Sequence, residues 1–557
     1  MAKNILSLTS SEVFDFFMKS DQYHGFELPE YFTFDKVLEF VQKTVGDTLY
    51  EECLQNNFLP ENLSDVNLNI LLNKDGHYAV RPIILANPFL YYFLVREVCN
   101  ENNWNVVKNL FDEFTVPHIT SCAIPIVRAE KEPFHNSTTI MNWWYSMEQR
   151  AIELSLEYRY MFMTDITNCY GSVNPQAFDW AFQLKDTQHA RTEKSNIANN
   201  IQRYLRAFQE GRNMGIPQGS AIFDFVGEII LGYSDLLLHE ALQTKAKVYE
   251  NEGKSFPSYE IIRYRDDYRV FCNDKNALEN ISYTLQNVLE RLNFRMNSSK
   301  TKISDSIVTD AVKTDKLAYI YNTPIFNKKG CDFDSFEKYL LYILIFSRQY
   351  PDCGSLKTML SDIDNRIEQW LNPKVSDMKT ENIKWEDVNF DEEPKENTEE
   401  ENVFSTIKTY KRIRHIPGGS VRAMIAVCTQ IALENVGCAH YALRIISRLI
   451  DSLKDTNEKS SIIDLVYHKL CDQPNSQYNQ LWLQNMTYSQ DAKHGKSPYT
   501  LRLCKLVAGK DVKSLWNNNW IKSEYASNLP YNSIVDKEVL RNVTPVIVFR
   551  ETRIYNE

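Results

Sequence analysis

An α+β fold is predicted for this 557-residue chain, with a front half built around a small sheet and a back half made of helices. Three stretches carry the prediction. In Glu260 to Cys272, apolar and aromatic residues (Ile261, Ile262, Tyr264, then Tyr268, Val270, Phe271) flank Asp266 and Asp267, which reads as two short strands joined by a tight turn with carboxylates at its tip. Tyr160-Met161-Phe162-Met163-Thr164-Asp165 is an apolar run that ends in an acid, placing Asp165 at the exit of a buried strand where packing seldom requires one. From about Lys316 the texture changes to amphipathic helices joined by short polar loops.

Composition bounds the rest. The chain is long enough for two to four domains, and 43% hydrophobic with 24% charged residues is an ordinary soluble globular balance. Met1 to Ser10 lacks the basic and apolar regions of a secretory signal, and no apolar run approaches a membrane span, so no membrane association is expected. The 11 cysteines are scattered singly, without a Cys-x-x-Cys or a His pair at ligand spacing. A zinc site or disulfide framework is therefore not expected, and a reducing cytoplasm is. Residues 377–403 carry 11 acids against 3 bases, which is most of the net charge of -11. Any nucleic-acid groove must then be a local basic patch.

Taken in order, residues 1–75 read as a mostly helical N-terminal extension, including Glu12 to Met18 and Phe34 to Val45. His77 to Pro88 is an extended segment closed by Asn-Pro, followed by a helix from Phe89 to Val98. Arg81 on that segment either clamps a triphosphate through its planar guanidinium or is an exposed arginine before a proline turn. Asn105 to Phe114 continues the region, and Ile119 to Val127 reads as a strand. In His135 to Tyr160, Trp143, Trp144, Tyr145, Met147 and Tyr158 alternate with Arg150 and Arg159, either a stacking surface for a single strand or core with a polar face.

Pro175 to Phe208 is helical with a polar loop near Asp186 to Ser195. Gly215-Ile216-Pro217-Gln218-Gly219-Ser220 is a rigid-then-permissive turn before an apolar helix from Ala221 to Leu238. Leu278 to Leu292 is a helix, and Asn293 to Ile303 a turn and return strand. Helices follow at Phe336 to Phe346, Leu356 to Leu371, Val421 to Asn435, Ala439 to Lys454, Ser460 to Cys471 and Gln477 to Met486. Lys408, Lys411, Arg412, Arg414, His415 and Arg422 form a basic segment that either touches nucleic acid or balances the acids before it.

Asp165 and Asp266 are placed to serve one chemistry. Joining a nucleotide to a hydroxyl removes a proton from the attacking oxygen while charge builds on pyrophosphate. Two Mg2+ ions about 4 Å apart serve both ends, and hard cations take carboxylate oxygens. Asp267 is a third ligand or orients the pair. Lys300 near such a polyanion acts as an acid or a point-charge clamp.

The order of these elements resembles a reverse transcriptase. Asp165-x-x-x-x-Tyr170 is similar to its first palm motif, Pro217-Gln218-Gly219 to its second, Tyr264-Arg265-Asp266-Asp267 to its third and Asn297-x-x-Lys300-Thr301 to its fourth. The resemblance covers about Arg81 to Ile303, less than half of the chain. It implies right-hand polymerase fingers and palm over residues 76–315, followed by an α-helical repeat or bundle over 316–557 with an acidic loop near 377–403. It implies that Asp165, Asp266, Asp267 and Lys300 are catalytic, that Asp165, Ile166, Asp266 and Asp267 hold the metals, and that Arg81, Tyr170, Pro217, Gln218, Gly219 and Tyr264 bind the nucleotide. Lys300 would protonate departing pyrophosphate, and Tyr170 would lie under the sugar, where its ring clashes with a 2′-hydroxyl.

No ribonuclease H carboxylate cluster, integrase or His-Asn-His pattern follows the polymerase motifs. In this the chain most resembles the bacterial abortive-infection reverse transcriptases of the AbiK and AbiA kind. That resemblance implies dNTP substrates, RNA as template or associated noncoding RNA, a DNA product that in some members is attached to a protein tyrosine, homo-oligomers with a hexamer among the options, and arrest of phage-infected bacteria. Tyr23, Tyr31, Tyr50 and Tyr555 are conceivable primers. Two other readings remain: a conventional RNA-templated enzyme of retron or intron type, and a catalytically dead nucleic-acid-binding scaffold. Arg265 is open, whether pairing with a carboxylate, holding a primer phosphate or pointing away.

Overall fold

The computed structural model describes residues 3–55, 58–73, 80–127, 144–183, 191–326, 333–371, 418–494, 498–510, 512 and 514–541. Nine strands occur among them: β1 (Lys3–Asn4), β2 (Leu68–Asn73), β3 (Val80–Leu85), β4 (Ile119–Ser121), β5 (Ile126–Val127), β6 (Tyr160–Asp165), β7 (Tyr259–Tyr264), β8 (Asp267–Cys272) and β9 (Lys302–Ser304). Five of them make the central sheet, in the order β4-β7-β8-β6-β9. β7 and β8 are an antiparallel hairpin, β6 is antiparallel to both β8 and β9, and β4 is parallel to β7. β1 pairs with β5 and β2 with β3 in separate two-stranded sheets.

The register explains why β6 and β8 are buried almost throughout. Met161 lies opposite Phe271, Met163 opposite Arg269 and Asp165 opposite Asp267, so these side chains share one face. That face packs its apolar members against Met147, Ala151, Leu154, Ile307 and Ala311. The other face carries Arg263 and Tyr268, which reach the helix Ala221–Asn251. The Lys275–Arg291 helix packs against β6 and β8 with Ala277, Leu278, Ile281, Leu285, Val288 and Leu289 buried. Asp274 caps its first turn by accepting from the Ala277 N–H.

The chain divides into two compact units: residues 1–71, 81–317 and 505–542 in one, and 72–80, 318–504 and 543–557 in the other. This differs from the three consecutive segments expected. The N-terminal helices belong to the same unit as the sheet, and residues 505–542 return to it. The Trp516 indole donates to the Leu85 carbonyl at 3.1 Å, the Asn517 N–H to Asp65 at 2.9 Å and the Gln55 N–H to Trp520 at 2.8 Å. Single bridges join Phe32 to Val535 and Leu54 to Ile521. Such long-range pairings leave no local period in the sequence, so a chain-order reading misses them.

β2 was also unexpected in a region read as mostly helical. Leu68, Ile70 and Leu72 are buried while Asn69 is exposed, an alternation that fits a strand. The stretch Ile119 to Val127 is two short strands rather than one.

The second unit is helical, as expected, and includes Phe333–Gln349, Gly354–Leu371, Gly418–Glu434, Ala439–Ser452, Thr456–Cys471 and Gln477–His494. Gly418–Glu434 packs on both Phe333–Gln349 and Ala439–Ser452. Asp364, buried at the centre, receives Arg444 at 2.7 Å and Arg448 at 2.8 Å. No helix among the described residues is long and apolar enough to cross a membrane. The acidic segment 377–403, Trp143, Lys408, Lys411, Arg412, Arg414, His415 and Tyr555 lie outside the described residues.

Candidate active site

Three acids meet at one end of the central sheet. Asp165 is the last residue of β6 and Asp267 the first of β8, and they are register partners. Directly opposed residues on antiparallel strands have Cα atoms roughly 4.5–5.5 Å apart. Tyr264 pairs with Asp267, which leaves Arg265 and Asp266 as a two-residue turn. The Ile166 N–H donates to the Asp266 carbonyl at 3.1 Å, tying the turn to the exit of β6. Asp266 therefore sits beside Asp165 through backbone contacts alone.

Arg265 holds a left-handed backbone conformation, φ 53°, which is costly for a residue with a side chain. Two bonds keep it there. Its carbonyl accepts from Arg263 Nη1 at 3.1 Å, and its own Nη2 pairs with Asp224 Oδ2 at 2.8 Å. Of the three options open for Arg265, the structure takes the carboxylate pair.

The electrostatics of the acids are unbalanced. Asp165 is buried, with Oδ2 receiving the Lys300 ammonium at 2.6 Å and Oδ1 without a hydrogen-bond partner. Burial, and then the neighbouring Asp165, raise the Asp266 carboxyl above its ordinary range against the pull of Arg265 and Lys300. Asp267 is pushed up to about 6 by burial and by Asp266, with Lys313 pulling the other way. The bond to Asp165 raises the Lys300 ammonium in turn. Carboxyls that resist ionising beside one another are the signature of a place where a cation is wanted.

Among the described residues, no group of three or more His, Cys, Asp or Glu side chains is arranged to hold a metal ion on its own. The donors present nevertheless fit Mg2+. Asp165 offers an orphaned, buried carboxylate oxygen, and Mg2+ is usually held by one or two carboxylates, with water and substrate phosphates completing its octahedron.

Lys300 is placed by its turn. The Asn297 N–H donates to the Asp165 carbonyl at 2.8 Å, the Lys300 N–H to Asn297 at 3.1 Å, and the Thr301 hydroxyl meets Thr164 at 2.7 Å. The fourth motif is thus stitched to β6 on both sides of the ammonium.

The second motif is fixed equally closely. The Ile84 N–H donates to the Gln218 carbonyl at 2.9 Å and the Gly25 N–H to Gly219 at 2.8 Å. Gly219 has φ 132°, and a Cβ there would come within 2.3 Å of the Ile84 carbonyl oxygen, so no other residue fits. Pro217 precedes it, and the Ile216 N–H donates to the Tyr170 carbonyl at 2.7 Å, linking the second motif to the first. Tyr170 sits on the short helix Cys169–Ser172, with its ring against Gly227. Arg81 lies on β3, three residues before Ile84, and is exposed. Tyr264 packs against the cluster that contains Ile262, Met161 and Phe271, where burial raises its hydroxyl to about 12.

A set of buried charges beneath the hairpin went unread in the sequence. Arg263 is fully buried, with Nε and Nη2 on Asp235 at 2.8 to 3.1 Å and Nη1 on Glu228 at 3.0 Å. Tyr268 donates to Asp235 at 3.2 Å and meets Ser234 at 2.8 Å. The signal was present: Asp224, Glu228 and Asp235 recur at i, i+4 and i+11 in the largely apolar first half of the helix, hence on one face.

Residues 112–322 match the family described as reverse transcriptase (RNA-dependent DNA polymerase). They form a reverse transcriptase domain. All four motifs and the central sheet fall inside the matched stretch, whereas Arg81 and the helical unit fall outside it or nearly so. The description of that family names an RNA-dependent DNA polymerase.

Solved structures similar to the chain include telomerase from Candida albicans in complex with a TWJ fragment of telomeric RNA, at 12% identity and a TM-score of 0.28, over 72% of this chain and 65% of that one. Apo telomerase from Candida tropicalis is similar at 13% identity and a TM-score of 0.27, over 72% and 67% of the two chains. The chain thus spans just under two thirds of the Candida albicans chain. No curated protein matches it.

Proposed function

We propose that this protein synthesises DNA from dNTPs by metal-assisted nucleotidyl transfer, and that it serves antiviral defence by abortive infection in the bacterial cytoplasm. The observation that carries the catalytic reading is the opposition of Asp165 and Asp267 across β6 and β8, with Asp266 at the turn beside them and Asp165 Oδ1 unpartnered. Asp165, Asp266, Asp267 and the Ile166 backbone would hold two Mg2+ ions. Bound there, the ions would lower the pKa of the primer hydroxyl and offset charge on the leaving group.

The remaining roles belong to the chain. Lys300, held at 2.6 Å from Asp165, is positioned to pass a proton to pyrophosphate as it departs. Gln218 and Gly219 form the floor under the nucleotide, and Tyr170 lies under its sugar and rejects a 2′-hydroxyl. Arg81 grips the triphosphate from the strand that abuts Gln218.

The defence reading is supported by the absence of a recognisable nuclease or integrase pattern in the sequence and by the presence of a large helical unit in the same chain. Priming by the tyrosines considered finds little support: Tyr23, Tyr31 and Tyr50 are buried, and the Tyr23 hydroxyl donates to the Ala86 carbonyl. A homo-oligomer and an associated noncoding RNA belong to the same proposal.

The test is incorporation of labelled dNTPs by purified protein with Mg2+, followed by sequencing of the product. A defined complement means a copied RNA, and random or homopolymeric DNA means untemplated synthesis. No incorporation, or the same trace with Asp266→Ala, overturns the proposal. Protection of bacteria from phage that survives Asp266→Ala overturns its defensive part.

A further inference from the structure

Asp224, Gly227, Arg265 and Tyr170 meet where the long helix passes the catalytic hairpin. We propose that the Asp224–Arg265 ion pair is a positioning device for the Tyr170 ring, and so sets how strictly the site rejects ribonucleotides. This rests on the reading of Tyr170 given under Proposed function.

Four features of Tyr170 make its ring dependent on these neighbours. The residue follows Asn168, which is left-handed at φ 49°, so the short helix that carries it begins from a fixed kink. Its carbonyl is held by the Ile216 N–H. Its Cε1 lies 2.9 Å from where a Cβ on Gly227 would stand, so the ring rests on the bare backbone of the long helix. Its hydroxyl is buried and has no hydrogen-bond partner. A buried hydroxyl left without a partner takes one as soon as one is released.

The partner nearest to release is Asp224. Asp224, Arg265 and Glu228 all act electrostatically on the Tyr170 hydroxyl. Glu228 is committed to Arg263, and Asp224 is committed to Arg265 at 2.8 Å. The latter pair is one third exposed on each side, unlike the fully buried Arg263, so it is the breakable one. While Arg265 occupies Asp224, the ring is held by packing, including that on Gly227, and not by a hydrogen bond from its hydroxyl. Without that pairing, Asp224 becomes a free acceptor, the hydroxyl swings to it, and the ring leaves the position where it would meet a 2′-hydroxyl.

The pair also joins two parts of the site that must agree. Asp224 is in the first turn of the helix that begins directly after Pro217, Gln218, Gly219 and Ser220, and Arg265 immediately precedes Asp266. Arg263 fixes the Arg265 carbonyl, so the guanidinium starts from a rigid base.

The experiment uses the full chain with a DNA primer on an RNA template and measures kcat/KM for single dNTP and rNTP additions. The variants are Asp224→Asn, Arg265→Met, Tyr170→Ala, and the exchange of Asp224→Arg with Arg265→Asp. Asp224→Asn and Arg265→Met are expected to lower the dNTP-over-rNTP preference about tenfold, the low end of what one displaced pocket contact is worth. The change should come mainly through a lower KM for rNTP, and the exchange should restore part of it. Tyr170→Ala should abolish the preference. If Tyr170→Ala abolishes it while both pair variants keep it, the inference falls and the reading of Tyr170 stands. If Tyr170→Ala leaves it intact, that reading falls and takes the inference with it. Should Arg265→Met stop synthesis, competition between dNTP and rNTP for binding reads the same ratio, and an unaltered ratio overturns the inference.

Discussion

Lys300 reaches across from the turn after the Lys275–Arg291 helix to donate to Asp165 Oδ2 at 2.6 Å, placing a cation in direct contact with one of the three clustered acids. The bond fixes Lys300 where the proposed mechanism has pyrophosphate leave. Lys300→Ala is expected to lower kcat by about 100-fold, the scale of a lost general acid, with a much smaller change in KM. Lys300→Arg should recover little, since a guanidinium cannot give up its proton. Steady-state kinetics on a primed template decide it. Equal loss in KM would mean that the lysine only grips the phosphates.

Asp267 predicts the pH dependence of stability. Its folded pKa, about 6, is raised above the usual carboxylate value by burial and by Asp266. The folded state therefore holds this proton more tightly than the unfolded chain does. Stability is favoured at low pH and declines as pH rises through the window between about 4 and 6. Asp267→Asn should reduce that slope, leaving the part due to Asp266 and other buried acids, and stabilise the metal-free protein at pH 7.5 by roughly 1–2 kcal/mol, after allowance for partial solvent exposure. Urea unfolding at pH 4.5 and 7.5 measures it. A variant less stable than the parent at pH 7.5 would contradict the account.

Gly219→Ala should be severe. The added methyl meets the Ile84 carbonyl oxygen at 2.3 Å, and φ is 132°, so backbone on both sides would have to move. A loss of about 2–4 kcal/mol is expected, together with a raised KM for dNTP. Thermal unfolding and steady-state kinetics together test whether the turn both supports the fold and shapes the floor.

Arg263 gives a test that separates burial from function. Arg263→Met leaves Glu228 and Asp235 buried without their cation, and about 3–5 kcal/mol of stability should be lost. Replacing all three by apolar residues of similar size should recover most of it, because a well-packed apolar set avoids the desolvation cost. Denaturant midpoints of the single and triple variants decide it.

Much of the site was legible because its residues sit in short, ordered motifs. Asp165 closes an apolar run, Asp266 and Asp267 interrupt another, and the apolar and aromatic residues flanking them predicted the strands correctly, with register bringing the two runs side by side. The helix after Ser220 was also legible but read too short, ending at Leu238 rather than Asn251, because its last turns are polar and exposed. The Arg263 cluster was not legible in the same way. An arginine at the end of a strand reads as exposed until the helix that buries it is placed opposite. The return of Trp516 and Trp520 to the N-terminal region was invisible, since contacts over 400 residues apart leave no periodic trace. Arg265 was left open because a turn residue's partner depends on an element 41 positions away.

The account turns on metal held between Asp165 and the hairpin. The most direct measurement is anomalous-scattering crystallography of the protein with Mn2+, a primed template and a non-hydrolysable dNTP. The account predicts Mn2+ bound by carboxylate oxygens of both Asp165 and Asp266 at about 2.1 Å, with Lys300 moved from Asp165 toward the phosphates. Mn2+ bound elsewhere, or Lys300 still seated on Asp165 with nucleotide present, would contradict it.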